Sequence, residues 1–451
     1  GRLSSFLDFE NEAFLLSRDV DHRVRFCLLT AAGPGRRADR AEFAFSTRYM
    51  EDLPKRRFAM PPEEILLVNP NTGTLPVFRS RRDAEITTGI YKRVPVLVRE
   101  NDPDGNPWGI SFMRMFDMAN DSHLFRTAEQ LEAEGWELRG NVYERDGKRM
   151  LPLYEAKMLH HFDHRLGTYE GQTEAQANMG TLPRLTPEQH DDPSFVVMPR
   201  YWVPEFDIPT GKKDGKGKEI YYAGVESRIS QKGWQGQWLL GWRDICRSTD
   251  ERTMINSVFP RVAAPDGTLL MLPRRGGVSG LISCLSSFVL DFVVRQKIGG
   301  THLKFFTIFQ LAVASPDQLL KFEKFITPRV LELTYTAHDM TPFARDLGDD
   351  GPPFRWDEER RAIIRAELDA LFFHIYGIKR DDVDYIMETF PIVKRKDEEK
   401  YGTYRTKDLI LEVYDRMADA GVSLDTPLID GENFTSTLAP PPGHGPRHDP
   451  A

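Results

Sequence analysis

The 451-residue sequence contains three cysteines, Cys27, Cys246 and Cys284, far apart and without a CxxC pair. That argues against a disulfide scaffold or a structural zinc site and fits a reducing compartment, the cytoplasm. Long apolar runs are missing too. The longest, Leu281 to Val294, includes Asp291 and falls short of the ~20 residues a membrane span needs. No charged-then-apolar leader opens the chain. Its first residue is Gly, not Met, and it starts in what reads as the middle of a domain, so a fragment of something longer is expected.

Phosphate-cradling glycine patterns are also missing. There is no GxGxxG. The run Gly211-Lys212-Lys213-Asp214-Gly215-Lys216-Gly217-Lys218 has the wrong glycine spacing for a P-loop, and no Ser or Thr follows its lysine. Asn69-Pro70-Asn71-Thr72 shares only its first two residues with the Asn-Pro-Pro-aromatic tetrad of amino-methylating enzymes. Without an aromatic ring to stack on a flipped base, a turn is the better reading. Nor is there an excess of positive charge. With 60 Lys and Arg against 68 Asp and Glu, the net charge is −8, which excludes a uniformly basic nucleic-acid coat but not a local basic face.

What is present is ample apolar material. Hydrophobic residues make up 40% of the chain and aromatics 11%, enough for large cores, and at ~150 residues per domain the length suggests two to four domains. Strands are expected at Arg23–Thr30 and Glu42–Ser46, and helices from Pro61 and over Arg79–Arg93. A short helix around Ala128–Glu134 precedes a hairpin turn at Asp146-Gly147. Residues 170–195 read as a polar loop, and Glu205–Glu219, with three glycines and four lysines, as a mobile insertion. Leu281, Leu285, Phe288 and Phe292 give one apolar helical face, predicting a single helix over Ser279–Gln296. A strand is expected at Leu303–Ile308. Further helices are expected at about 316–328, 356–376, 380–388 and 404–419.

Two segments carry candidate chemistry. In the first, Tyr154 to Arg165, three readings compete. His160, His161, Asp163 and His164 could bind a metal, although no i,i+4 pair stands beside a clear third ligand. Glu155 and Lys157, with Asp104 upstream, could form a nuclease-like carboxylate–lysine set. Lys157, His161, Arg165 and Tyr169 could face nucleic acid from one side of a helix. A solvated or interdomain polar surface is the bland alternative. In the second segment Trp234, Trp238 and Trp242 recur every four residues among Arg243, Arg247, Arg252 and Arg261, with Thr249, Asp250 and Glu251 between. Arginine forks bind phosphates and guanine edges, and neighbouring acids and hydroxyls orient them. Core tryptophans with surface arginines are the plain alternative. From Val225 to Phe306 eleven Lys and Arg face six Asp and Glu, a local surplus of five on an acidic chain, the asymmetry a nucleic-acid footprint requires.

The run from Leu67 through Asn69-Pro70-Asn71-Thr72-Gly73-Thr74 to Glu85 resembles one found in large bacterial adenine-specific DNA methyltransferases of restriction-modification and phage-defence systems. So do Leu153–Met158 running into His161–Arg165, Arg247-Ser248-Thr249-Asp250-Glu251-Arg252-Thr253-Met254-Ile255, Lys297–Leu303, and Tyr385–Lys407 with Phe390-Pro391. The resemblance implies a multi-domain α+β (mixed α/β) chain. It would begin with the C-terminal end of a class I methyltransferase sheet (residues 1–60). A linking, helical α+β region (61–195) would follow, then a target-recognition domain like those of TaqI-type methylases and type I specificity subunits (196–315). A helical region (316–420) and a disordered tail (421–451) would complete it. The methyltransferase cofactor and catalytic motifs are absent from this sequence. The resemblance therefore implies S-adenosylmethionine for a full-length parent, no cofactor in this part, and no catalytic residue here. The partners it implies are double-stranded DNA, the parent's catalytic domain and a defence-system subunit. The implied DNA contacts are Arg243, Arg247, Thr249, Asp250, Arg252, Arg261, Lys297, Thr301, His302 and Lys304, with Lys157, His161 and Arg165 lining a cleft. A nuclease region of a fused restriction enzyme and a non-catalytic assembly subunit are the alternatives.

Overall fold

Apolar residues at every second position of Ala41–Thr47 bury Ala41, Phe43 and Phe45 on one face of a strand. A computed structural model of the chain, describing residues 2–429 and 431–450, places that strand in a four-stranded sheet. The fold is α+β, built from several small sheets and a predominantly helical second half.

The first sheet contains β1 (Leu3–Glu10), β2 (Arg25–Ala31), β3 (Ala41–Thr47) and β4 (Phe58–Met60), in the order β2-β1-β3-β4. β1 runs parallel to β3 and antiparallel to β2. It packs its own small core of Phe43, Phe45, Phe58, Met60 and Phe78. The second sheet has the order β13-β12-β14-β5, with β5 at Ser111–Met113, β12 at Trp238–Arg243, β13 at Asn256–Pro260 and β14 at Thr268–Leu272, all antiparallel. The third is a meander of β6 (Glu137–Arg139), β7 (Val142–Arg145), β8 (Lys148–Pro152) and β9 (Trp202–Pro204). The β7–β8 turn falls at Asp146-Gly147, with φ of 51° and 74°, as a two-residue hairpin demands. In place of the expected insertion at Glu205–Glu219, β10 (Ile208–Lys213) and β11 (Glu219–Tyr222) form an exposed hairpin whose turn is closed by the Asp214 carboxylate.

The longer helices are α1 (Arg81–Tyr91), α2 (Val278–Ser286), α3 (Phe288–Lys297), α4 (Glu323–Thr334), α5 (Glu358–Ile375), α6 (Arg380–Glu388), α7 (Pro391–Tyr401) and α8 (Arg405–Asp419). α7 is additional to the sequence reading. The helix expected over Ser279–Gln296 is two helices, α2 and α3, bent by 64°. Ser287 is extended (φ −70°, ψ 149°), and its hydroxyl accepts from the Leu290 amide, capping α3. Among the described residues no single helix is long and apolar enough to cross a membrane; the bent α2–α3 pair has the composition, but it is core.

Two further expectations are corrected. Leu303–Ile308 is not a strand: Phe305–Phe309 is a helical turn that packs Phe305 against Trp242 and buries Ile308. The described part of the segment 421–451, expected to be disordered, packs onto the helices. Leu428 and Phe434 are buried, and Arg447 pairs with Asp349. The boundaries expected at 195 and 315 are not marked by separate cores. One core runs from Val68 to Phe434, and the third sheet joins β8 to β9 across residue 195.

Candidate nucleic-acid interface

Trp238 and Trp242 are four apart on β12 and so share a face of the strand. Both are buried, as is Trp234, and each indole N–H has an internal acceptor: Trp234 to the Trp238 carbonyl, Trp238 to Asp346 and Trp242 to the Leu303 carbonyl. These are core tryptophans that fix the strand.

Immediately after β12, Asp244 is buried and gathers the next loop. Its carboxylate accepts from Lys304 Nζ at 2.6 Å and pairs with His302 Nδ1 at 2.7 Å. Its carbonyl accepts from the Leu303 amide, and the Cys246 amide donates to the Thr301 carbonyl. Residues 244–250 and 299–304 thereby form two adjacent strips of surface, and Thr301 and His302 are exposed. On the first strip Arg247 and Thr249 are exposed, and among the described residues the Arg247 guanidinium has no partner. The half-buried Asp250 folds back to accept from the Arg247 amide at 2.8 Å, shaping the turn. Arg79, 169 residues away in sequence, reaches Ser248 Oγ at 3.4 Å and adds another cation. Ile245 stands out of the first strip and Phe306 follows just after the second, 67% and 61% exposed.

The remaining residues of the implied contact set are spent inside the protein. Arg243 donates from Nε to the Leu159 carbonyl at 3.1 Å, and burial pulls its guanidinium down to about 10. Arg252 donates to Asp291 Oδ2 at 2.6 Å and lies over the Phe288 ring. Arg261 binds Glu226 and the Gly236 carbonyl. Lys297 Nζ donates to the Val68 carbonyl and to Asn69, and burial pushes its ammonium well below the usual lysine range. Arg165 is fully buried, holding the carbonyls of Asp192, Phe195, His190 and Thr336. The charged groups of all five already have partners within the protein, unlike Arg247.

The segment around residue 160 is not a helix that aligns Lys157, His161, Arg165 and Tyr169. It is a one-turn helix, Ala156–Met158, followed by a tight turn in which Phe162 adopts φ of 57°. Lys157 lies over the Tyr169 ring and 3.6 Å from Glu155, and Tyr169 donates to Glu155. The histidines separate: His164 pairs with Asp339, Asp163 faces His190 at 3.4 Å, and His160 and His161 line a cleft. Among the described residues no three His, Cys, Asp or Glu side chains are placed to hold a metal ion. Glu155, which the nuclease alternative needs, is committed to Tyr169 and Lys157.

The sequence alone does not reveal Arg79, Ile245 or Phe306 as parts of this surface, because their neighbours are distant along the chain. No family model matches the chain, and no curated protein matches it.

Proposed function

We propose that this chain is a DNA-binding, target-recognition and scaffolding part of an adenine-specific, S-adenosylmethionine-dependent DNA methyltransferase of a restriction-modification or phage-defence system, working in the cytoplasm. The observation that carries the DNA-binding half of the reading is the Asp244 hub. A buried carboxylate fixes Lys304 and His302 beside exposed Arg247 and Arg79. Cations held in place lose less side-chain entropy on meeting phosphates, and a free arginine fork can read a base edge. Exposed Ile245 and Phe306 offer apolar contact to sugars or a thymine methyl. The methyltransferase half rests on the sequence resemblance.

Duplex binding also needs the basic face to be aimed, and the helical part supplies bracing. Tyr385 of α6 donates to Asp83 of α1, and Arg82 pairs with Asp382, so Arg79 is anchored from the C-terminal side. The proposed partner, the parent's catalytic domain, has a site to join. β2 is an edge strand with Leu28 and Leu29 56% and 62% exposed, and an unpaired edge accepts another strand.

The test is duplex binding by this chain across a salt series. Affinity falls steeply with salt if phosphate contacts release counterions; a flat or absent response overturns the reading. A purely protein-binding assembly subunit forms stable complexes with no such dependence.

A further inference from the structure

A cleft of about 240 Å³ opens between the His160–Phe162 turn, the start of α3, and helices α5, α7 and α8. It does not belong to the surface above. Phe162, Phe288, Val393, Leu409 and Ile410 form its apolar walls. Its polar lining divides into groups that are already satisfied and groups that are not. Arg252 is held by Asp291, Lys396 by Glu251, Arg405 by Glu359, and Asp397 by the Thr406 amide.

Four lining groups remain. His161 is 5% exposed, and among the described residues neither of its ring nitrogens has a hydrogen-bond partner. His160 stands edge-on to it, ring centres 5.2 Å apart; it is half-buried, and among the described residues its ring has no hydrogen-bond partner. Asp369, buried on α5, accepts a single protein hydrogen bond, from the Phe288 amide at 2.7 Å. Arg365, one turn before it, has only Glu358 at 3.8 Å, and its side chain is 40% exposed. Leaving buried polar groups unmatched is costly, so native sites that do so are built around something else.

The chemistry of the four narrows the occupant. Burial, reinforced by the nearby guanidiniums of Arg243 and Arg252, holds both imidazoles in the neutral form. A neutral imidazole offers one donor and one acceptor. Asp369, pushed up to about 6 by burial, adds a group that accepts and, once protonated, donates. These groups together with the apolar lining suit a ring with alternating donors and acceptors. A second carboxylate would face Asp369. Half-exposed Arg365, whose pairing with Glu358 is loose at 3.8 Å, suits a single anionic group rather than a triphosphate.

We propose that this cleft binds a small ligand with a hydrogen-bonding heteroaromatic ring and one anionic group, in the class of a nucleoside monophosphate. The ring lies against His161 and Asp369, and the anion meets Arg365. The inference does not rest on the duplex-binding reading.

Calorimetry of the whole chain with AMP, GMP, CMP and UMP tests it, with adenosine, guanosine, cytidine, uridine and inorganic phosphate alongside. The expected result is one site for at least one monophosphate, its nucleoside bound at least tenfold more weakly, and phosphate alone not bound. Arg365→Ala, at a half-exposed position that folding tolerates, should lower monophosphate affinity at least tenfold while leaving nucleoside affinity unchanged. His161→Asn should weaken both ligands, with a thermal melt to confirm that the variant is folded. No binding of any monophosphate at millimolar concentration overturns the proposal. So does binding that Arg365→Ala leaves unchanged. A site that merely holds water gives the first of these results.

Discussion

Arg252 Nε donates to Asp291 Oδ2 at 2.6 Å, and the carboxylate is completely buried. Asp291 also accepts from the amides of Thr253 and Met254. One side chain on α3 thus pins the segment between β12 and β13, the same segment whose other end presents Arg247. Asp291→Ala should destabilise the protein by roughly 3–5 kcal/mol, because it removes the counter-charge of a largely enclosed guanidinium and leaves two buried amides unmatched. Urea unfolding measures this, and a loss under about 1 kcal/mol would refute the pinning role.

Arg243 and Arg247 are four positions apart and should behave oppositely. Arg247→Ala should change stability by no more than about 0.5 kcal/mol, yet weaken duplex binding by roughly 1–3 kcal/mol if it reads a base. Arg243→Ala should cost about 1–3 kcal/mol of stability, because the Leu159 carbonyl loses its donor. Parallel melts and anisotropy titrations separate the two. The reversed pattern would move the interface away from the Asp244 hub.

Acid should weaken the fold before any carboxylate is titrated in bulk. Burial lowers His160 and His161 well below 6.5, and His374 and His448 are lowered by burial too. The unfolded chain therefore takes up protons first as pH falls. The histidine contribution to stability should be flat above about pH 7 and decline below about 6.5, by up to about 1.4 kcal/mol per pH unit for each histidine. Asp369 acts in the other direction. Its folded value of about 6 lies above the unfolded one, so its protonation favours the fold below about pH 6. Denaturant titrations from pH 7.5 to 5 should show a net decline, and Asp369→Asn should steepen it. A stability that rises on acidification would contradict the burial of the imidazoles.

Gly241 lies mid-strand in β12, where a Cβ would sit 2.9 Å from the Leu269 carbonyl oxygen and 3.1 Å from the Phe259 ring. Gly241→Ala should cost about 1–3 kcal/mol by overpacking. An unchanged melting temperature would show that the sheet can relax there.

The parts of this molecule that follow from short-range chemistry were legible in the sequence. The Asp146-Gly147 hairpin, the edges of α1, α5, α6 and α8, and the mixed α+β class all read from turn residues and apolar spacing. What failed were inferences from charge to exposure. Arg165, Arg252 and Lys297 look like surface cations in one dimension. Their acceptors are carbonyls or carboxylates 25 or more residues away, which no local pattern announces. The same holds for the Asp244 hub, where partners 58 and 60 residues distant decide which cations stay outside. The break at Ser287 escaped because the apolar spacing continues through it while one serine changes the backbone direction.

The packed segment after residue 420 bears on how this chain can be cut. Arg360, already paired with Glu332, donates to the carbonyls of Pro440 and Pro441, while Glu332 accepts from the Gly443 amide and Glu367 from Ser436. Trimming what reads as a dispensable proline-rich tail would strip hydrogen bonds from charged groups inside the helical layer. Such a truncation would act as a lesion of the interior, and a protease that clips there would loosen α4 and α5 as well as shorten the chain.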